Sequence, residues 1–147
     1  MNPNEFISVD TQLLAGDGEG RWRSAVSRAY YGAFHLGKEF LFDCGIIIQI
    51  DAVAHRNLAW CLSNSNEQAI EDAASLLGTL RKARNDADYD LTSTRFTRRA
   101  EAKAEVQRAI EILTLLAPYQ ADEGKIRVAP RIRAYASTIG LPLQAMP

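Results

Sequence analysis

The chain has 147 residues, 47% of them hydrophobic and 24% charged, a balance that fits one globular domain and excludes a disordered segment. The longest apolar stretch, Phe34 to Ile50, is interrupted by His35, Lys38, Glu39, Asp43 and Gly45, which excludes a bilayer span and makes a protein without membrane association the expectation. A net charge of -1 supplies no global attraction to polyanions, so any nucleic-acid contact must come from charges gathered on one surface.

The first ten residues, MNPNEFISVD, lack the basic and apolar regions of a signal peptide, and Cys44 and Cys61 lack metal-ligand spacing, so a reducing cytoplasm is the expected compartment. Asn2 or Asn4 caps a first helix over about 4 to 15, ended by Gly16 and the break GDGEG. From Arg21 to about Asp43 two apolar stripes run together, Trp22, Val26, Ala29, Ala33, Leu36 and Phe40 beside Tyr30, Phe34, Gly37 and Leu41, which predicts a central, largely surrounded helix. Gly45 stops it, and Ile46, Ile47, Ile48 and Ile50 read as a packed loop for want of a partner strand. Asp51 caps a third helix to about Leu62. Ser65 and Gln68 have the spacing of a capping box that opens a fourth, reaching about Tyr89. Thr94 opens a fifth, from about Arg95 to Leu116, ended near Pro118.

These elements predict an all-α fold, an up-and-down bundle of about five helices over residues 1–120. Residues 121–147 are expected to form an irregular basic tail: from 124 onward it carries Lys125, Arg127, Arg131 and Arg133 and no acid. Ile126, Val128, Ile132 and Tyr135 would strap this tail to the bundle, or its cations would meet a partner.

The apolar stripe of the fourth helix, Ile70, Ala73, Leu77, Leu80, Ala87 and Leu91, is broken by Arg84. A seam arginine is costly to desolvate, so it is either paired inside, with Asp88 one turn on, or the seam opens there onto a cleft. Between 81 and 103 there are seven cations (Arg81, Lys82, Arg84, Arg95, Arg98, Arg99, Lys103) against four acids (Asp86, Asp88, Asp90, Glu101), a local excess of three positive charges. This is a candidate polyanion surface or a solvated charged rim. There is no Gly-rich phosphate loop, no HExxH and no GxSxG, and of two histidines His35 reads as a core or boundary group and His55 as structural. No metal and no cofactor are expected.

SRAYYGAFHLGKEFL on the central helix, His55 at the start of the next and RKARNDADYDL at the end of the fourth together resemble the HEPN domain, over about residues 4 to 118. The resemblance implies a dimeric helical module of prokaryotic toxin-antitoxin or defence systems, in which an arginine-histidine motif meets across the dimer to cut RNA without metal. Arg84 matches the motif arginine and Asn85 the polar residue after it, but no histidine follows, and Tyr89 stands nearest its place. A tyrosine with an ordinary pKa of about 10 is a poor base near neutrality. The chain thus resembles the tyrosine-bearing branch, which implies binding of RNA or a nucleotide with weak or absent endoribonuclease activity. Arg84 and Tyr89 are the candidate catalytic residues, and Arg81, Asn85, Asp88, Arg95 and Arg98 the candidate ligand-binding ones. The partners implied are a second copy and a nucleotidyltransferase or antitoxin, and the alternative reading is a non-catalytic module that binds such a protein.

Overall fold

A computed structural model describes residues 1–146; Pro147, the last residue of the expected tail, lies outside them. The described residues are all-α, with six α-helices: α1 (Asn4–Ala15), α2 (Glu19–Asp43), α3 (Ala54–Ser63), α4 (Gln68–Tyr89), α5 (Arg99–Leu116) and α6 (Asp122–Thr138), and one turn of 3-10 helix at Ala117–Tyr119. None of them is long and apolar enough to cross a membrane. The described residues form two compact units: Met1–His35 with Leu76–Ile112, and Leu36–Ser75 with 113–146.

In the first unit, α1, the start of α2, the end of α4 and α5 meet around Val26, Ala83, Ala87, Phe96 and Ala102, flanked by Leu14 and Trp22. The small residues on α4 let its backbone come close to its neighbours. Phe96 explains why α5 begins at Arg99 rather than Arg95: its ring is fully buried, and residues 95–98 form turns that carry it inward. Ser93 Oγ accepts from the Arg95 N–H at 3.3 Å there, so Thr94 opens a turn, not the helix itself.

No glycine follows α4 to take the left-handed cap conformation, and its final carbonyls are met from α2 instead. Arg23, buried, donates from Nη1 to the carbonyls of Asp86, Ala87 and Asp90 at 3.0, 3.2 and 2.9 Å, and from Nη2 to Ser93 O at 2.7 Å. Its Nε donates to Glu19 Oε1 at 2.7 Å, which supplies the counter-charge. A cation at a helix C-terminus is also favoured by the helix dipole. Asp90 completes the stop by accepting from the Thr92 hydroxyl at 2.7 Å and from the N–H groups of Thr92 and Ser93; the Thr92 hydroxyl bond chiefly holds this exposed carboxylate below its ordinary range.

The second unit corrects the expected tail and the helix count. Residues 122–138 are helical because Val128, Ala129, Ile132 and Ala136 recur on one buried face, a drive that outweighs the hydrogen bond Pro130 removes. Two further helix ends in this unit use glycine. Gly45 (φ +78) closes α2, with Ile46 N–H on Leu41 O at 2.9 Å, and Gly140 (φ +76) closes α6, with Leu141 N–H on Ala136 O at 3.0 Å. Ile46 and Ile48 are buried, so this part of the isoleucine run is a packed loop, joined to Leu143 by an antiparallel bridge at Ile46, whereas Ile50 is exposed. The capping box is absent: Ser65 Oγ accepts from the Glu67 N–H at 3.3 Å, and Gln68 Nε2 turns to Asp72 Oδ1 at 2.8 Å.

Replacing Arg23 with alanine would leave buried carbonyls unmet and should cost about 3 kcal/mol in a urea titration. Lysine, whose single ammonium cannot serve all four acceptors, should recover less than half of that.

Asp10 on α1 is fully buried; its Oδ1 has a long contact from the Thr11 hydroxyl at 3.5 Å, and its Oδ2 has no hydrogen-bond partner. Burial pushes its carboxyl up to about 7 from 3.8. The folded state therefore binds this proton more tightly than the unfolded one. Stability from this group is present below pH 4 and is lost as pH rises toward 7, by on the order of 4 kcal/mol. Asp10→Asn should flatten the stability profile between pH 4 and 7 and raise the melting temperature at pH 8.

Candidate functional site

Arg84 does not point into an open cleft. It is 6% exposed, with its guanidinium 5.2, 5.1 and 5.5 Å from the ring centres of Tyr30, Tyr31 and Tyr89. Nη1 donates to Asn85 Oδ1 at 3.1 Å and to the Tyr89 hydroxyl at 3.3 Å, and Nη2 donates to the Tyr31 hydroxyl at 3.1 Å. Nε has no hydrogen-bond partner. The expected Arg84–Asp88 pair is a charge contact, Nε to Oδ2 at 3.8 Å, while Asp88 Oδ2 accepts from Ser27 Oγ at 3.0 Å.

The local sequence accounts for this group. Residues 84, 85, 88 and 89 fall within the last turn and a half of α4, and Ser27, Tyr30 and Tyr31 lie one turn apart on α2. The three tyrosine faces attract the cation that the Tyr31 and Tyr89 hydroxyls also bind, so the ring cluster compensates much of the desolvation a seam arginine incurs. Burial pushes the Tyr30 hydroxyl up to about 12, against the opposing pull of Arg81 and Arg84. Tyr30 and Tyr31 are the partners that sequence reasoning missed; the signal was the adjacent pair of tyrosines following Ser27 by a helical turn.

Of the sequence-derived candidates, Arg84, Asn85, Asp88 and Tyr89 come together, and Arg81 lies close enough to act on Tyr30. Arg95 and Arg98 are committed to carboxylates. Arg95 bonds Asp86 Oδ2 at 2.7 Å and the buried Glu105 at 3.0 Å, and Arg98 pairs with Glu101. The cation cluster is therefore partly neutralised from within. Tyr89, 72% exposed, and Leu91, 78% exposed, form the outer surface next to Asn85.

Among the described residues no three His, Cys, Asp or Glu side chains converge as metal ligands. Cys44 and Cys61 are free and buried, and burial pushes their thiols up to about 11 and about 12, far from reactive thiolates. Comparison with known proteins gives no relative: no family model, curated protein or solved structure matches the chain.

The enclosure of Arg84 sets an order of stability effects. Arg84→Ala, which removes a buried side chain from three rings, should cost about 2 kcal/mol, and Tyr31→Phe about 1 kcal/mol through its lost acceptor. Tyr89→Phe at the exposed edge should cost less than about 0.5 kcal/mol, all measured by thermal melts.

Proposed function

We propose that the chain is a HEPN-type module, an up-and-down helical bundle that binds single-stranded RNA or a nucleotide at Arg84 within a toxin-antitoxin or defence system. The observation that carries the reading is that the Arg84 guanidinium hydrogen-bonds no carboxylate: its hydrogen-bond partners are neutral oxygens, its Nε is unbonded, and the Asp88 carboxylate stands at 3.8 Å. A phosphate oxygen that displaces the exposed Tyr89 and Asn85 side chains would give this cation a charged acceptor. The displaced Tyr89 ring then offers a face on which a base can stack. In the same reading two copies associate through the end of α4, where Tyr89 and Leu91 are exposed.

Cleavage would require an RNA 2′-hydroxyl to attack the adjacent phosphorus as the 5′-oxygen leaves, with one proton removed and one delivered. Arg84 could stabilise the phosphoryl charge, but Tyr89 is a poor base, so binding without efficient cleavage is the expected behaviour. The second reading, a protein-binding module for a nucleotidyltransferase or larger effector, is favoured by the burial of Arg84 among its own side chains.

Fluorescence anisotropy with a labelled single-stranded RNA and with ATP separates the two. The first reading expects binding that weakens steeply between 50 and 200 mM salt and falls at least tenfold in Arg84→Lys, which keeps the charge and loses the fork. Absence of binding to either ligand at low salt would favour the protein-binding module. Rapid metal-independent cleavage abolished by Tyr89→Phe would overturn the assignment of weak chemistry.

A further inference from the structure

The second unit holds a short segment in a seat made for extended backbone. After the glycine that ends α6, residues 141–144 run antiparallel to residues 45–47, which begin at the glycine that ends α2. Ile47 N–H donates to Pro142 O at 3.0 Å and Gln144 N–H to Gly45 O at 2.9 Å. Arg133 Nη1 clamps both sides, donating to Cys44 O, Gly45 O and Gln144 O at 3.2, 3.1 and 2.7 Å.

The two partners contribute unequally. On the seat side Ile46 and Ile48 are buried, whereas Pro142, Leu143, Ala145 and Met146 on the strap are exposed. The strap is held by backbone hydrogen bonds and one guanidinium rather than by a buried apolar face. Such contacts are indifferent to which copy of the chain supplies the strap, since an identical segment arriving from another molecule recreates every one of them. What keeps the strap on its own seat is the turn at Gly140, whose positive φ sends the chain sharply back from α6.

We infer that residues 141–146 form an exchangeable strap: at high concentration two copies trade straps, each seating on residues 45–47 and Arg133 of the other. The closed, single-chain form dominates at low concentration, because the short link holds the strap at an effective concentration in the millimolar range. The exchange involves the second unit and is independent of any RNA or nucleotide binding at Arg84.

The bridge between Ile46 and Leu143 provides the test. In an antiparallel pair of this kind, not hydrogen-bonded to each other, the Cα atoms lie about 4.5 Å apart, within reach of a disulfide. Full-length chains bearing Ile46→Cys are mixed at several hundred micromolar with chains bearing Leu143→Cys, equilibrated and oxidised; roughly that concentration is required to compete with a millimolar local strap. The expected product is a covalent dimer in which mass spectrometry finds position 46 of one chain linked to position 143 of the other. A second variant avoids any change in the seat. Gly140→Val strains the closed turn and should raise the dimer fraction in sedimentation velocity about tenfold, with the helical circular dichroism retained. The chain carrying both cysteines should close its disulfide within one molecule at low concentration; its failure to close would overturn the seating itself. If it closes, but the mixture gives no 46-to-143 linkage and Gly140→Val remains monomeric, strap exchange is overturned.

Discussion

The end of α4 depends on one buried guanidinium. A helix leaves its last carbonyls without intrahelical donors, and burying them unmet is costly. Arg23 satisfies three carbonyls with one nitrogen and reaches Ser93 with another. The fixed fork of an arginine suits this task better than the point charge of a lysine. It also sets the axial position of α4 against α2, and with it the placement of Arg84, Asn85, Asp88 and Tyr89 beside Ser27, Tyr30 and Tyr31. Were α4 to end in a glycine cap, the same turn could form, but its last carbonyls would no longer be tied to the helix that carries the tyrosines.

Three arginines in this chain, Arg23 and Arg84 buried and Arg133 half-buried, show different chemistry. Arg23 and Arg133 each spend Nη1 on backbone carbonyls, acceptors that do not move away without local unfolding. Arg84 spends its donors on side-chain oxygens, two of which belong to exposed residues that can rotate away. That contrast separates a structural arginine from one able to change partners. It also explains why charge counting along residues 81–103 is a weak guide: Arg95 carries the same formal charge as Arg84 but is already neutralised by Asp86 and Glu105.

The helical class and the first two helices were legible because glycines and apolar stripes agree there, although Pro3, not Asn2 or Asn4, stands at the N-cap of α1 and no side chain caps it. Arg84 was legible as an anomaly for a similar reason, since a charge in an apolar row demands a local explanation. Its surroundings were not. Tyr30 and Tyr31 read equally well as core, and only the packing of α2 against α4 turns them toward a guanidinium. Arg23 was overlooked although it precedes the buried Val26 by one helical turn, a position where a solvated arginine has no place. The sixth helix was missed because the segment was read by its cations, although Val128, Ile132 and Ala136 recur at helical spacing around Pro130. Proline removes one bond from a helix, whereas the apolar face gains from tertiary burial that a local reading cannot see.

The two tryptophans fall one in each compact unit, and their surroundings differ. Trp22 donates its indole N–H to Gly16 O at 3.1 Å and is partly enclosed with Arg99 near its ring, while Trp60 is more exposed, with Arg56 stacked 4.7 Å from its centre. Each indole therefore emits from its own unit and from a distinct polarity. Chains left with a single tryptophan would carry an intrinsic optical gauge for one unit at a time, so that cooperativity within the molecule can be followed by emission alone, without any added dye.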